Sequence, residues 1–518
     1  MKRSFIYGAF VLMIASAVNR IVGFIYQAAI YRLIGPEGIG LFNLVYPVYI
    51  LIIVIATAGI PLGISKLVSE QEAYGNRRGS LQVLWVSVTI LIVSGALFSL
   101  LAYLISPLLL RYVFINKMVY HVFLYLIPGI FIISVSSAFR GFFQGLMDMT
   151  PPAMGQVAEQ LVRVCTGIYL ATLLLPKGIQ WAAAGMAAAG VIGETAGLLI
   201  MLVIFYRRKP LNIRYSLPGW KCSALILRKL FDLCAPITMG RIAVTLMLSI
   251  NSVLIPAMLK KAGFSTSAAT ALYGQFTGVA LTLLFIPSVM TVSLATSLVP
   301  AISEALAQNR PALICSRTRE AIRFTVIAGV PFVTAYLVLP DEIARAVFGS
   351  QAGGGLLQIL ACGGIFAYLQ QTTTGILQGL GRPGIPLQNL LIGGAANIAA
   401  IYLMVPVKGI DIKGCAYADI VFFLLAAGLN LRFLYRQTRF KLHSVNDIVK
   451  PLAAGILTGI IYGKVYTWGL SATGSNIMGV AFSLPAGFIV YAALIVFLGA
   501  VTTSDFLRLP VIKKIIGR

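Results

Sequence analysis

The chain has 518 residues, of which 59% are hydrophobic and only 11% charged; its 40 Lys and Arg against 15 Asp and Glu give a net charge of +25. That balance lies far outside the range of soluble globular chains, and no polar stretch is long enough to fold as an aqueous domain. Loops facing anionic inner-leaflet lipid account for the positive charge, and no aromatic–basic interleaving, zinc-finger spacing or recognition-helix pattern points to nucleic acid.

Apolar stretches follow one another from Phe5 to Val501, each about 20 residues long, enough for a helix to cross a hydrocarbon core of roughly 30 Å. In chain order about fourteen are expected, centred near Ala15, Ile53, Leu91, Phe131, Leu161, Val191, Thr245, Leu284, Val330, Phe366, Leu390, Phe423, Leu457 and Val490. No small-residue cleavage pattern precedes Asn19-Arg20, so the first stretch reads as a span and not as a cleaved leader. "GIPLGIS" (59–65) and "PSVMTVSLATSLVP" (287–300) read as spans interrupted by proline and glycine. With the N-terminus inside, most of the Lys and Arg fall in loops on that side. Arg207, Arg208, Lys209, Arg214, Lys221, Arg228 and Lys229 lie in one, and Arg310, Arg317, Arg319 and Arg323 in another. The positive-inside rule then places both termini in the cytoplasm of a multi-pass cytoplasmic-membrane protein.

The phrase "GFFQGL" (141–146) returns as "GILQGL" (375–380), 234 positions later. Other features keep that offset. "GLF" at Gly40 meets "GQF" at Gly274, "LVSE" (67–70) meets "AISE" (301–304), and "GLMDMTPP" (145–152) meets "GLGRPGIP" (379–386). With some slippage "RIVGF" from Arg20 sits opposite "RIAVT" from Arg241, and "GIQWAAAGMAA" opposite "GIDIKGCAYA". The series predicts an all-α fold of two parallel six-span repeats (1–215 and 216–440), followed by two extra spans and a cytoplasmic tail (441–518). Such halves leave a cavity between them and permit alternating access. Within the opening phrase, Gly141 and Gly145, like Gly375 and Gly379, share one helical face suited to close helix approach, while Gln144 and Gln378 need partners where buried. Packing with a turn and direct substrate contact are both open for this motif. Pro61 and Pro300 supply bend points, for gating or as static kinks.

Polar groups inside the spans carry the chemistry, because an unpaired charge in lipid is costly. Arg20 and Arg241 occupy matching first spans of the two repeats, with Asn251 farther along. Facing the cavity, two guanidinium groups would grip the phosphate oxygens of an anionic head group; otherwise they snorkel or hold an acidic neighbour. Glu159 and Arg163 are i,i+4 and can pair, as a structural bridge or as part of a substrate or proton switch. Glu194 and Asp419 have no sequential partner and are candidates to hold a coupling proton or cation. The six cysteines form no Cys-X-X-Cys pair and there are only two histidines, so no metal is expected. No Walker loop or catalytic constellation is present, so the chain reads as a transporter without cofactor, driven by protons, sodium or membrane potential.

The segment "NRIVGFIYQAAIYRLIGPEGIGLFNLVYPVYILIIVIATAGIPLGISKLVSE" (19–70), together with "FRGFFQGLMDMTPPAMGQVAEQLVRV" (139–164), resembles a known group. This is the polysaccharide-exporter and lipid-flippase branch of the multidrug/oligosaccharidyl-lipid/polysaccharide exporter superfamily, with the likeness strongest to the stage V sporulation protein B subgroup. The resemblance runs end to end. It implies two six-helix lobes in a V around a central cavity, and, by similarity to the peptidoglycan lipid II flippases, an arginine-lined cavity and a tail groove beside the last two helices. Arg20, Arg241 and "KPLAAGILTGIIYGKVY" (450–466) are then the carried-over positions. The implied cargo is lipid II or a related undecaprenyl-linked saccharide, supporting cell-wall or spore-cortex synthesis. Membrane lipids and wall-synthesis enzymes are the implied partners; the sequence is compatible with a monomer and leaves the oligomeric state open. The chain departs from the lipid II flippase pattern at Tyr26-Gln27, where those relatives carry an adjacent Arg-Asp pair, and in "LIIVIATAG" (51–59), which lacks their basic residue. Arg163 and Arg241 then supply the charge, or the cargo differs.

Two rival readings remain. A cation-coupled multidrug exporter of the same superfamily predicts an acidic, aromatic-lined pocket without a tail groove. A scaffold for wall synthesis predicts mutually paired charges.

Overall fold

A computed structural model of the protein describes residues 5–208, 220–440 and 442–500, with the side chains of 5–11 and a few later positions left aside. Lys209 and Arg214 of the basic loop, the expected boundary at 215/216 and the tail beyond 500 lie outside the described residues. Among the described residues every regular element is helical. By contact the chain divides into two compact units, Met1–Gly274 and Gln275–Arg518.

The first unit opens with α1 (Phe5–Thr57), which Gly35 breaks at φ 68° just before Pro36, so that one long helix serves two successive spans. A left-handed Ala58-Gly59 step leads into α2 (Ile60–Ala73), which carries Pro61 in its first turn. Then come α3 (Arg77–Tyr112), α4 (Val119–Gly145), α5 (Thr150–Leu174), α6 (Ile179–Arg208), α7 (Trp220–Lys261) and α8 (Thr266–Gln275). Helix α7 packs on α2, where the Cys234 thiol and a Leu230 methyl lie within 3 Å of the place a Gly63 Cβ would take. The core of this unit gathers Ile64, Leu84, Leu91, Phe139, Phe142 and Phe205.

The second unit holds α9 (Leu281–Leu284), α10 (Ser288–Ala307), α11 (Pro311–Val338) and the short amphipathic α12 (Pro340–Phe348). It continues through α13 (Gly354–Gly379), α14 (Gly384–Met404), α15 (Lys413–Thr438), α16 (Lys450–Thr473) and α17 (Asn476–Phe497). Helix α16 lies on α11 through Gly455 and Gly459, and the Tyr462 hydroxyl donates to the Pro331 carbonyl at 3.2 Å. At one end of α11, Arg319 forks onto Asp447 (Nε–Oδ2 2.9 Å, Nη2–Oδ1 3.3 Å) and Arg323 approaches the same carboxylate at 3.6 Å. Arg323 also donates to the carbonyl of Ala500 beyond α17, so one pair of arginines on α11 holds both ends of the α16–α17 hairpin.

Twelve stretches among the described residues are helical, long and apolar enough to cross a membrane. One of these, Leu12–Ala73, holds two spans on either side of Gly35. Helix α13 is also long enough to cross, its apolar run interrupted by a polar centre from Gln370 to Thr374. Adding these two restores the expected set, an all-α polytopic membrane protein with fourteen spanning segments.

The repeat is visible atom by atom. A Cβ on Gly141 would meet the Pro61 carbonyl oxygen at 2.5 Å, and one on Gly375 the Ala295 carbonyl oxygen at 2.6 Å. One turn on, Gly145 faces Ser65 and Val68 of α2, and Gly379 faces Val299 and Ile302 of α10. Each partner pair keeps the 234-residue register. The following turn does too: Met147 (φ 58°) matches Gly381 (φ 71°), with identical backbone bonds back into α4 and α13. Gln144 is half-buried and Gln378 exposed, so neither is forced to find a partner, and Pro300 is exposed on α10. Within the first unit Gly40 of α1 meets the Thr270 carbonyl while Gly274 of α8 meets the Pro36 carbonyl, a crossing that maps onto itself under the same register.

Gly141→Val and Gly375→Val are each expected to lower stability by at least about 2 kcal/mol through backbone-to-backbone overpacking. Met147→Gly, which relieves a left-handed methionine, is expected to raise it by less than about 1 kcal/mol. Thermal unfolding of the three purified variants beside wild type checks both signs.

Candidate functional site

The charged residues of the first unit converge where α4, α5 and α6 meet the second part of α1. Glu159 and Arg163, one turn apart on α5, form a bridge of 2.5 Å (Nη2–Oε1). Helix α6 can reach them because it presents glycine at the crossing. A Cβ on Gly193 would lie 2.7 Å from the Glu159 carbonyl oxygen, and one on Gly197 3.0 Å from that of Gly155. That approach carries Glu194, next to Gly193, to 3.6 Å from Arg163. From α4, Arg140 comes within 3.7 Å of the second oxygen of Glu159.

The four groups form a chain, Arg140–Glu159–Arg163–Glu194, two basic side chains against two acidic ones. The two carboxylates and Arg163 are mostly buried, whereas the Arg140 side chain keeps 42% of its surface exposed. An unmatched charge at such depth would be costly, and mutual pairing is what makes the cluster tolerable. Aromatic groups of α1 enclose it. Phe42 and Tyr46 stack at 5.2 Å, Tyr49 lies 6.1 Å from Tyr46, and the Tyr49 hydroxyl sits against Gly129 of α4. Tyr46 is 40% exposed, so the cluster is covered but not sealed. Chemically the arrangement offers guanidinium donors for an anion and paired carboxylates for a proton or cation.

The other expected residues lie elsewhere. Asn19 donates to the Gln156 carbonyl of α5 at 3.1 Å, while its neighbour Arg20 is exposed on α1. Arg241 is exposed on α7, its carbonyl accepting from the Thr245 hydroxyl, and Asn251 is half-buried farther along the same helix. Among the described residues neither Arg20 nor Arg241 has an acidic partner within 4 Å, so the structure does not join them to the α5 cluster. In the second unit Asp419 of α15 accepts from the Asn397 amide of α14 at 2.8 Å. Asn397 stands at the register position of Arg163, so an acid–amide pair occupies the place of the ionic one. A separate neutral chain also ties α14 to α15 and α13: Asn389 donates to Asn430 at 2.8 Å, and Asn430 to Thr373 at 3.1 Å. Among the described residues no group of three His, Cys, Asp or Glu could hold a metal ion.

Arg140 is the residue that sequence reading misses as a site. It lies inside the glycine phrase, where packing absorbs attention, and its being the lone charge of the apolar stretch "IISVSSAFRGFFQG" was the available signal. Asp447 and its two arginines are also missed, since those arginines read only as loop charge.

Comparison with known proteins bears on the family and the fold. The family model described as polysaccharide biosynthesis protein matches residues 5–306. Stage V sporulation protein B of Bacillus subtilis (strain 168) is 30% identical over 518 residues, covering 100% of both chains. The lipid II flippase MurJ of the same organism is 25% identical, covering 100% of this chain and 98% of that one. Among solved structures, lipid II flippase MurJ in an inward closed conformation superimposes with a TM-score of 0.71 at 14% identity, over 96% of this chain and 99% of that one.

Removing Arg163 leaves Glu159 facing Glu194 across a buried crossing. Arg163→Gln is expected to cost about 3 kcal/mol, and adding Glu159→Gln to recover part of it. A double-mutant cycle of thermal unfolding in detergent measures the coupling.

Proposed function

The chain belongs to the polysaccharide biosynthesis protein family, and we propose that it is a flippase carrying a lipid-linked saccharide across the cytoplasmic membrane by alternating access. Lipid II or a related undecaprenyl-linked glycan is the cargo, and cell-wall or spore-cortex synthesis is the process served. Two curated relatives that align with essentially the whole chain support this reading, one named for sporulation and one a lipid II flippase. The observation that carries it is the clustered charge: two arginines and two carboxylates held within apolar helices and left partly open on one side. A carrier of neutral, wholly apolar lipid would have no use for buried charge, whereas a diphosphate-linked head group needs cationic donors that a bilayer does not offer.

In this scheme Arg20 and Arg241 make the first contacts with the diphosphate. Their exposure and lack of acidic partners among the described residues leave their donors available. Glu194 and Asp419 hold the coupling proton or sodium, the first within reach of Arg163 and the second against the Asn397 amide. Both termini lie in the cytoplasm in this scheme, a placement that the loop charges support. The protein moves its ligand without making or breaking a covalent bond.

Transbilayer movement of lipid II in proteoliposomes of the purified protein tests the proposal. Wild type is expected to move it, and Arg20→Gln and Arg241→Gln each to slow movement by roughly tenfold, the loss of one charged hydrogen-bond donor set. No movement by correctly inserted wild type, with and without an imposed proton gradient, rules lipid II out as cargo.

A further inference from the structure

The four-membered ion chain is uneven, and the unevenness has a direction. Its inner members are firmly held: Arg163 bridges Glu159 at 2.5 Å and also reaches Glu194 at 3.6 Å, and all three are mostly buried. Arg140 is the loose end. It stands 3.7 Å from Glu159, the one carboxylate within 4 Å of it among the described residues, beyond hydrogen-bond range, and is the most exposed of the four. It also lies in the last two turns of α4. On the topology argued from loop charge this is the cytoplasmic end, the side from which a lipid-linked precursor would be loaded.

We infer that Arg140 is an anion-receiving residue which turns from Glu159 to the diphosphate of an arriving lipid, and that its turning obliges the carboxylates left behind to take up a proton. This rests on the flippase reading and deepens it. The charge balance is direct. With Arg140 in place two guanidinium groups offset two carboxylates; once Arg140 is engaged by the ligand, Glu159 and Glu194 share Arg163 alone. One negative charge is then uncompensated within mostly buried surroundings, and a proton from bulk water bound by the Glu159–Glu194 pair neutralises it.

The charged and titratable groups facing the pair come from each packed helix. They are Arg140 of α4, Arg163 of α5 itself, and the phenols of Tyr26, Tyr46 and Tyr49 of α1, with the two carboxylates on α5 and α6. Among these described groups no further cation can take the place of Arg140. The second unit has no equivalent, because Thr374 stands at the register position of Arg140 and Asn397 at that of Arg163. Ligand charge and proton are thus linked in one half of the repeat only.

The test uses the full-length protein in nanodiscs and farnesyl diphosphate, a short polyprenyl diphosphate without sugar, with farnesol as the uncharged control. Titration calorimetry in two buffers of different ionisation enthalpy counts protons taken up per ligand bound. Wild type is expected to bind the diphosphate with uptake of up to about one proton, and therefore more tightly as pH falls. Arg140→Gln is expected to bind at least about tenfold more weakly and to lose the uptake. Arg140→Lys, which keeps the charge without the fork, should show intermediate affinity with uptake retained. Glu194→Gln should bind without uptake, which separates protonation of the protein from protonation of the ligand. Melting temperature and gel filtration verify that each variant is folded. Wild-type affinity and uptake in Arg140→Gln, or no binding of farnesyl diphosphate by wild type, overturn the inference. Lipid II movement in parallel proteoliposomes keeps the two readings apart. Movement at the wild-type rate in Arg140→Gln sinks the role of Arg140 and leaves the flippase standing. A wild type that takes up protons with farnesyl diphosphate yet moves no lipid II does the reverse.

Discussion

The bridge from Arg163 to Glu159 at 2.5 Å can exist inside a bundle of apolar helices only because its surroundings complete it. A single ionised side chain in hydrocarbon costs several kcal/mol, and a lone i,i+4 pair still leaves donors and lone pairs unmet. Glu194 and Arg140 add opposite charge at 3.6 and 3.7 Å without closing further hydrogen bonds, and backbone approach brings both within reach. Glycine at 193 and 197 lets α6 come so near α5 that a side chain at 193 would collide with a carbonyl and one at 197 would crowd another. Glycine at 141, beside Arg140, does the same for α4 against α2. The small residues and the charged ones therefore belong to one design, in which close contacts of bare backbone set where charge can be stored.

The same constraint explains what could be read from the sequence. Apolar length and the positive loops gave the spans, since both follow from local composition. The 234-residue repeat was legible because a turn that needs a left-handed residue and a helix face that needs glycine leave marks at fixed positions. Gly141 and Gly375, or Met147 and Gly381, carry them. Glu159–Arg163 was legible because both partners sit on one helix. Glu194 and Asp419 were legible as acids without a sequential partner, but their partners were not, and Arg140 and Asp447 were missed, since each finds its partner on another helix at a distance in sequence that no local pattern encodes. Arg20 and Arg241 illustrate the converse. Their matching repeat positions were plain in the sequence, but the structure leaves both exposed and away from the acidic cluster.

The two halves have kept their backbone grammar and diverged in polarity. Turns, glycine contacts and the breaks in the second spans recur, while the ionic chain of the first half is replaced by Asn397–Asp419 and by the neutral run of Asn389, Asn430 and Thr373. The α16–α17 hairpin stands outside the repeat and is anchored separately, through the carboxylate of Asp447 and the Ala500 carbonyl, to two arginines of α11.

On the proposed flippase reading, the open flank of the α5 cluster lies on the path of the ligand and becomes accessible from either side of the membrane in turn. Tyr46, 40% exposed beside the cluster, is the position to probe. The measurement is labelling of Tyr46→Cys, in a background without the native cysteines, by a membrane-impermeant maleimide added to one face or the other, with and without lipid II. The account predicts labelling from both faces and protection by lipid II. Labelling from one face only, unaffected by lipid II, would contradict it.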